Sequence, residues 1–357
     1  MSLSARDLLA WYDRHRRTLP FRGEADPYRI WVSEVMLQQT TAAAAGPRFA
    51  RFVARFPDLA TLATAPESAV MEEWAGLGYY ARARNLHAGA QALLARGGFP
   101  DTPEGLREIP GIGPYTAAAV AAIAFGRPVV PVDANVERVT ARLFAVEEPL
   151  PRAKPRLSAL AQRWMEAEEA RARPGDLAQA LFDLGATVCT PRAPACTLCP
   201  VRPACAGAAA GIAAALPAKA ARPPRPLRHG VHFLALRGDG AVWLRRRPPR
   251  GLLGGMWEIP GTPWRDSPWA EAEAAAHAPC RARWRAVPGV ARHGFTHFEL
   301  AATLRVARAE GLPEEGWHAA ARAEAILPRA MRRLLALAAE AGAMKIAADS
   351  NSGRSAP

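Results

Sequence analysis

Apolar residues recur at helical spacing through the first half of the chain and at strand spacing only beyond residue 230, so the pattern alone divides the molecule in two. Leu8-Leu9-Tyr12, Ile30-Val35-Leu37, Phe49-Phe52-Val53-Phe56 and Leu86-Ala90-Leu93-Leu94 place side chains three or four residues apart, as one face of a helix requires. Pro20, Gly46-Pro47, Pro57, Pro66, Gly97-Gly98, Pro110-Gly111, Pro128 and Pro174-Gly175 cut residues 3–188 into helices of ordinary length. Residues 206–228 are mostly Ala, Pro, Arg and Gly, including ARPPRPLR, a composition that cannot build a core. After it, 231–236 and 241–244 read as strands around a Gly238-Asp239-Gly240 turn, and 298–306 as another. Helical patterns return at 268–277 and 329–341. The expected organisation is an all-α domain over 1–206, a linker over 207–228, a mixed α/β domain over 229–344 and a disordered polar tail over 345–357.

A chain of 357 residues has room for two cores of this kind. No run approaches the roughly 18 apolar residues of a membrane span. The formal charge of +13 points to a polyanionic partner, because Arg and Lys that neutralise phosphates release counterions on binding.

Four cysteines, Cys189, Cys196, Cys199 and Cys205, follow the last helical pattern with spacing C-x6-C-x2-C-x5-C. Zinc sites are usually built from two C-x2-4-C knuckles, and only Cys196 and Cys199 form one, so a cubane iron–sulfur cluster fits the wider spacing better. A pair of disulfides is the alternative. The opening MSLSARDLLAWYDRHRR shows no apolar signal segment, which favours a reducing compartment, the cytoplasm, where thiols bind metal. Cys280 stands alone and reads as an ordinary small apolar residue.

Ile109-Pro110-Gly111-Ile112-Gly113-Pro114-Tyr115-Thr116-Ala117 joins two helices through a turn with two glycines. Gly111 and Gly113 let another backbone come close, and the free N–H groups of the next helix suit a phosphate. Eighteen residues past Tyr115 stands Asp133, in VDANVERV. Its plainest role is an N-cap, and a carboxylate at a helix mouth can also favour a developing cation. Glu34, in SEVMLQQT, has Ile30, Trp31, Val35 and Leu37 around it, so desolvation should raise its pKa and let it hold a proton near neutral pH.

Hairpin, aspartate and terminal cysteine loop, in that order, resemble the helix–hairpin–helix superfamily of DNA glycosylases with a four-iron cluster, and most of all its adenine-removing branch. LPFR at 19–22, SEVMLQQT at 33–40, GLGYYARARNLH at 76–87, IPGIGPYTAAAV at 109–120 and VDANVERV at 132–139 carry the resemblance, which covers residues 5 to about 206. It implies a [4Fe-4S] cluster on the four cysteines and a double-stranded DNA partner with adenine opposite 8-oxoguanine or guanine, bound by a monomer associated with the bacterial nucleoid. It further implies that Glu34 protonates adenine at N7 and later activates water, while Asp133 stabilises an oxocarbenium-like transition state. Tyr115 would position the sugar or Asp133, Arg22 and Gln179 would line the adenine pocket, and Gln39 and Tyr80 would wedge into the duplex after the base flips out. The endonuclease III type, the competing reading, uses a lysine to form a Schiff base where this chain has Tyr115; the expectation is therefore a monofunctional glycosylase. A DNA-binding protein without catalysis is the third reading.

In the second domain, GLLGGMWEIP at 251–260 resembles the Nudix signature, but the acidic metal box is missing after Gly261, so a Nudix-like fold that binds without hydrolysing is expected. The resemblance places lesion recognition on Phe295, Thr296 and His297, with Thr296 where the family has serine.

Overall fold

The computed structural model describes residues 4–74, 77–220, 224–248 and 251–344. The tail expected at 345–357 lies outside the described residues, as does Gly76 of the GLGYYARARNLH motif. Contacts divide the chain into two compact units, Met1–Ala221 and Arg222–Pro357.

The first unit is helical, and its helix boundaries follow local chemistry. Asp26 accepts the Tyr28 N–H ahead of Pro27, and Thr102 accepts the Gly105 N–H ahead of Pro103, so both helices begin on a cap followed by proline. Gly97 and Gly126, at φ +87° and +64°, end the helices Ala81–Arg96 and Pro114–Phe125 in the left-handed region. Two apolar clusters result. One gathers Trp31, Phe49, Phe52, Leu62, Trp74 and Leu86; the other joins the N-terminal helix Ala5–His15, through Leu8 and Tyr12, to Val136, Trp164 and Leu181. Pro114–Phe125 runs between them, packed on Pro27–Leu37 from one side and Pro174–Thr187 from the other. Its small residues permit that: Ala117 to Ala122 are all buried, and a Cβ on Gly175 would lie 3.0 Å from Ile123 Cα.

The stretch expected to open a linker is packed onto this unit as far as residue 220. Ala206–Ala209 forms a helical turn, Leu216 is buried, and Leu150 N–H bonds to Ala218 O at 2.9 Å. A Cβ on Gly207 would sit 2.5 Å from Arg142 O. Low-complexity Ala and Gly build no core of their own, but they allow a backbone to lie close against an existing one.

The second unit is a mixed sheet with an outer helix. Its strands are β1 (Leu227–Leu236), β2 (Val242–Trp243), β3 (Arg245–Arg246), β4 (Trp257–Glu258), β5 (Arg285–Gly294), β6 (Glu299–Arg308) and β7 (Trp317–His318). The main sheet has the order β5-β6-β1-β2-β7, with β1 parallel to β6 and antiparallel to β2, while β3 and β4 form a separate pair. Seven successive residues of β1 are buried, the mark of a central strand covered on both faces. Helix Arg329–Glu340 covers the sheet with Met331, Leu334 and Leu335. The strand β5 does not show in the hydrophobic pattern because it is an edge. Only Val287 of its residues is buried, and Pro288-Gly289 sit in a break of register between Val287 and Ala291. The helix expected over 268–277 is confined to Glu271–Ala275.

Candidate active site and cysteine loop

Between the two apolar clusters of the first unit lies a cavity of about 530 Å³, and Glu34, Tyr115, Asp133, Arg22, Gln39 and Gln179 all line it. Residues separated by up to 157 positions in the chain thus meet on one wall-to-wall space.

Glu34 sits near the end of helix Pro27–Leu37 among the buried Ile30, Trp31 and Val35, and is itself 7% exposed. Tyr115, in the first turn of Pro114–Phe125, donates its hydroxyl to Glu34 Oε2 at 2.7 Å. Burial pushes the Glu34 pKa up and Asp133 adds to the rise, while the Tyr115 hydrogen bond and the Arg22 charge oppose it. The Tyr115 phenol is raised well above its ordinary value, first by burial and then by the two carboxylates, so it stays a hydrogen-bond donor.

Asp133 caps helix Ala134–Leu143. Its Oδ1 accepts the N–H groups of Asn135 (2.9 Å) and Val136 (2.8 Å), and its Oδ2 accepts Asn135 Nδ2 at 2.9 Å. Burial raises its pKa as well, against these three donors. The environments therefore differ: Glu34 has one neutral donor in an apolar setting, and Asp133 has three N–H donors at a helix mouth, which favour a carboxylate.

Arg22 bonds to Gln179 Oε1, to Tyr12 Oη at 3.2 Å and to Asp183 Oδ1 at 3.0 Å. Asp183, fully buried, also accepts Arg17 Nε at 2.6 Å and the Arg17 N–H at 3.1 Å. Tyr12, Arg17 and Asp183 escape the motif reading, although a carboxylate inside Leu181-Phe182-Asp183-Leu184 is a signal of a buried charge that must be paired.

Gly111 has φ +81° and its Cβ position would lie 2.7 Å from Asn85 Cβ, so both its conformation and its surroundings require glycine. Gly113 differs: at φ −85° it is the N-cap of Pro114–Phe125, exposed, with nothing near its Cβ position.

The two adjacent tyrosines, of which Tyr80 is the expected wedge residue, differ in exposure. Tyr79 is 60% exposed, whereas Tyr80 is half-buried against the first apolar cluster. Gln39 and Tyr79 both adopt positive φ, +57° and +47°, a conformation that costs a side-chain residue about 1 kcal/mol or more. Arg82 holds both loops: it donates to Val35 O at 2.8 Å, Met36 O at 3.2 Å and Gln38 O, with Trp74 and Tyr79 rings 5.4 and 5.5 Å from its guanidinium.

All five cysteines are free thiols, so the disulfide alternative is not realised. Cys189, Cys196, Cys199 and Cys205 line one pocket together with Arg142, although among the described residues no three His, Cys, Asp or Glu side chains converge to hold a single metal ion. Arg142, 1% exposed, donates to Cys189 Sγ (3.3 Å), Thr190 O (2.7 Å), Pro191 O (3.1 Å) and Leu216 O (2.9 Å). One turn earlier Arg138 donates to Cys189 O and Asn135 Oδ1, both at 2.8 Å, and to Gly185 O at 2.7 Å. The helix capped by Asp133 is thereby bonded directly to the cysteine loop. Arg192 and Arg202 are exposed on that loop.

In the second unit, Phe295 is half-buried at the turn from β5 to β6, and Thr296 and His297 are exposed. Glu258 is 3% exposed and pairs with Arg245 at 2.7 Å and with Arg247. Cys280 is half-buried, as an ordinary small residue would be.

Residues 32–166 match the HhH-GPD superfamily of base excision DNA repair proteins, and residues 231–337 match the NUDIX domain. The adenine DNA glycosylase of Homo sapiens is 34% identical over 358 residues, covering 82% of this chain and 64% of its own length. That of Mycobacterium tuberculosis is 41% identical over 208 residues, covering 56% and 66%. The chain spans less than two thirds of the length of either. A thermostable thymine-DNA glycosylase superposes with a TM-score of 0.51 at 29% identity, over 57% of this chain and 94% of that one. With its helical first unit, glycine hairpin, capped aspartate and terminal four-cysteine loop, the chain is similar over residues 32–166 to the HhH-GPD superfamily of base excision DNA repair proteins, and over a longer stretch to adenine DNA glycosylases.

Proposed function

We propose that this chain is a monofunctional adenine DNA glycosylase, which hydrolyses the N-glycosidic bond of adenine opposite 8-oxoguanine or guanine. The observation that carries the reading is the Tyr115–Glu34 bond of 2.7 Å in a cavity also lined by Asp133, with no amine at position 115.

A flipped adenine brings an imidazole-like nitrogen to a carboxyl group whose hold on its proton burial strengthens; Glu34 donates that proton, the base leaves as a neutral molecule, and Glu34 then accepts a proton from water. Positive charge grows on the sugar as the bond breaks. Asp133, fixed by three N–H bonds that favour its carboxylate form, stabilises it, with no reorganisation needed at that moment. Arg22 and Gln179 bound the base, held in turn by Asp183 and Tyr12. Gln39 and the exposed Tyr79 fill the gap in the stack, and the hairpin of Gly111 and Gly113 offers backbone N–H groups to phosphate without reading sequence.

Cys189, Cys196, Cys199 and Cys205 would hold a [4Fe-4S] cluster. The donor set suits it: four thiols surround a pocket and, among the described residues, do not meet at one ion position, while the buried Arg142 guanidinium, with no carboxylate partner among those residues, faces Cys189 Sγ as an anionic centre requires. When bound, the cluster supplies a fixed anionic brace for the loop bearing Arg192 and Arg202. In the second unit, Phe295, Thr296 and His297 would meet the oxidised base, and the buried, doubly paired Glu258 leaves the Nudix-like fold without a free carboxylate for magnesium there.

Duplexes carrying A opposite 8-oxoguanine, A opposite G, and T opposite G, treated with alkali after incubation, test the reading. Strand breaks at the adenines alone, absent without alkali, are expected. Breaks before alkali, or at thymine, contradict it.

A further inference from the structure

We infer that the buried pair His232–Trp264 positions the loop Phe295-Thr296-His297, and so sets how well the second unit distinguishes the base that this loop meets. The inference rests on the reading of that loop given above.

His232, on β1, is 1% exposed. Its Nδ1 lies 2.7 Å from Ile259 O, which can only accept, so Nδ1 carries the proton and Nε2 is left as an acceptor. Trp264 Nε1–H donates to that Nε2 at 3.2 Å. The tautomer of the histidine and the orientation of the indole are therefore fixed together.

The backbone makes room for this pair. Residues 260–265 run along β1, with Phe233 N–H on Pro260 O at 2.8 Å, Thr262 N–H on Val231 O at 2.9 Å and His229 N–H on Arg265 O at 2.7 Å. A Cβ on Gly261 would lie 2.5 Å from Val231 O and 2.7 Å from His232 Nδ1, and one on Gly230 would lie 2.6 Å from Trp264 Cδ1. Two glycines thus stand where any side chain would displace the imidazole or the indole.

Trp264 is a platform for the loop. Its ring centroid is 5.4 Å from Phe295 and 6.0 Å from Phe298, which are 4.9 Å from each other. His293 closes on Phe295 at 4.6 Å, edge to face, and the Arg247 guanidinium lies 5.3 Å from the Trp264 ring. Phe295 is anchored from below, which leaves the exposed Thr296 and His297 with a defined direction. An indole free to turn would let that direction drift, and a recognition group that drifts loses selectivity before it loses affinity.

The test uses the full chain. Trp264→Phe keeps a ring and removes the N–H; His232→Phe keeps a ring and removes both polar atoms. Single-turnover excision of adenine opposite 8-oxoguanine and opposite guanine should show each variant lowering the ratio of the two rates by about fivefold. The rate opposite guanine should hold, and the double variant should lower the ratio no further than either single change, because both remove one shared bond. A ratio equal to that of the unaltered protein, or an equal fall of both rates with a lowered melting temperature, overturns the inference. Phe295→Ala separates the two failures. If it also leaves the ratio unchanged, the reading of the loop itself is wrong; if it lowers the ratio while the His232 and Trp264 variants do not, only the positioning role is.

Discussion

The carboxylates of the first unit and the aromatic loop of the second are held in place by different physics. Glu34, Tyr115 and Asp133 lie between two apolar clusters and are fixed by directional bonds of 2.7–2.9 Å to hydroxyl and N–H donors. Phe295 is fixed by rings at 4.6–5.4 Å on several sides, with one hydrogen bond beneath, from Trp264 to His232. Bond-breaking chemistry needs a proton and a negative charge at defined atoms, so few residue types serve and their spacing is visible in sequence. A stacked platform accepts many combinations of rings, so the loop at 293–298 shows in the sequence but its supports His232 and Trp264 stand far from it and outside any motif.

That contrast is broken most sharply at Asp133. Asparagine caps a helix as well as aspartate does, so Asp133→Asn should leave the melting temperature nearly unchanged while single-turnover excision falls by about 10³-fold. Loss of stability in proportion to activity would make Asp133 a cap and nothing more.

Arg142→Leu should act the other way, on structure first. It strips donors from Cys189 Sγ and three carbonyls, of which that of Leu216 is buried, and should cost about 3 kcal/mol, seen as a lower melting temperature together with loss of iron and sulfide from the purified chain. Retention of both would contradict the anionic brace.

Tyr115→Phe should slow excision by about tenfold and change its pH dependence. The Tyr115 hydrogen bond favours ionised Glu34, so removing it raises the Glu34 pKa further. A raised pKa means the proton is present at low pH and lost as pH rises through the folded value, so the fall in rate should move to higher pH in the variant. A shift to lower pH would reverse the assigned role of the phenol.

The smallest effect distinguishes adjacent tyrosines. Tyr79→Ala should weaken binding to a mismatched duplex by about 1–2 kcal/mol at unchanged stability, measured by titration against labelled DNA. Tyr80→Ala should lower stability by a similar amount, since that ring packs half-buried against the first apolar cluster.

Much of the first unit was legible because its constraints are local. Gly111 at φ +81°, Asp133 at a helix mouth and Glu34 inside an apolar stretch each announce their situation within a few residues. What was missed depended on distant partners. Asp183 and Arg142 are charged residues whose pairing is set 161 and 47 or more positions away, and nothing in YY says which ring faces inward. Residues 206–220 read as a linker because composition reports side-chain volume and not how closely a backbone can lie against a neighbour. The edge strand β5 carries too few buried residues to alternate.

The central claim is that Glu34 delivers the proton that releases the base. Glu34→Gln keeps the size of the side chain and its place beside Tyr115 but holds no acidic proton, so it should bind a duplex with adenine opposite 8-oxoguanine within a few-fold of the unaltered protein and yield no alkali-labile sites above about 0.1% of its rate. Excision by this variant at a rate near that of the unaltered chain would contradict the assignment.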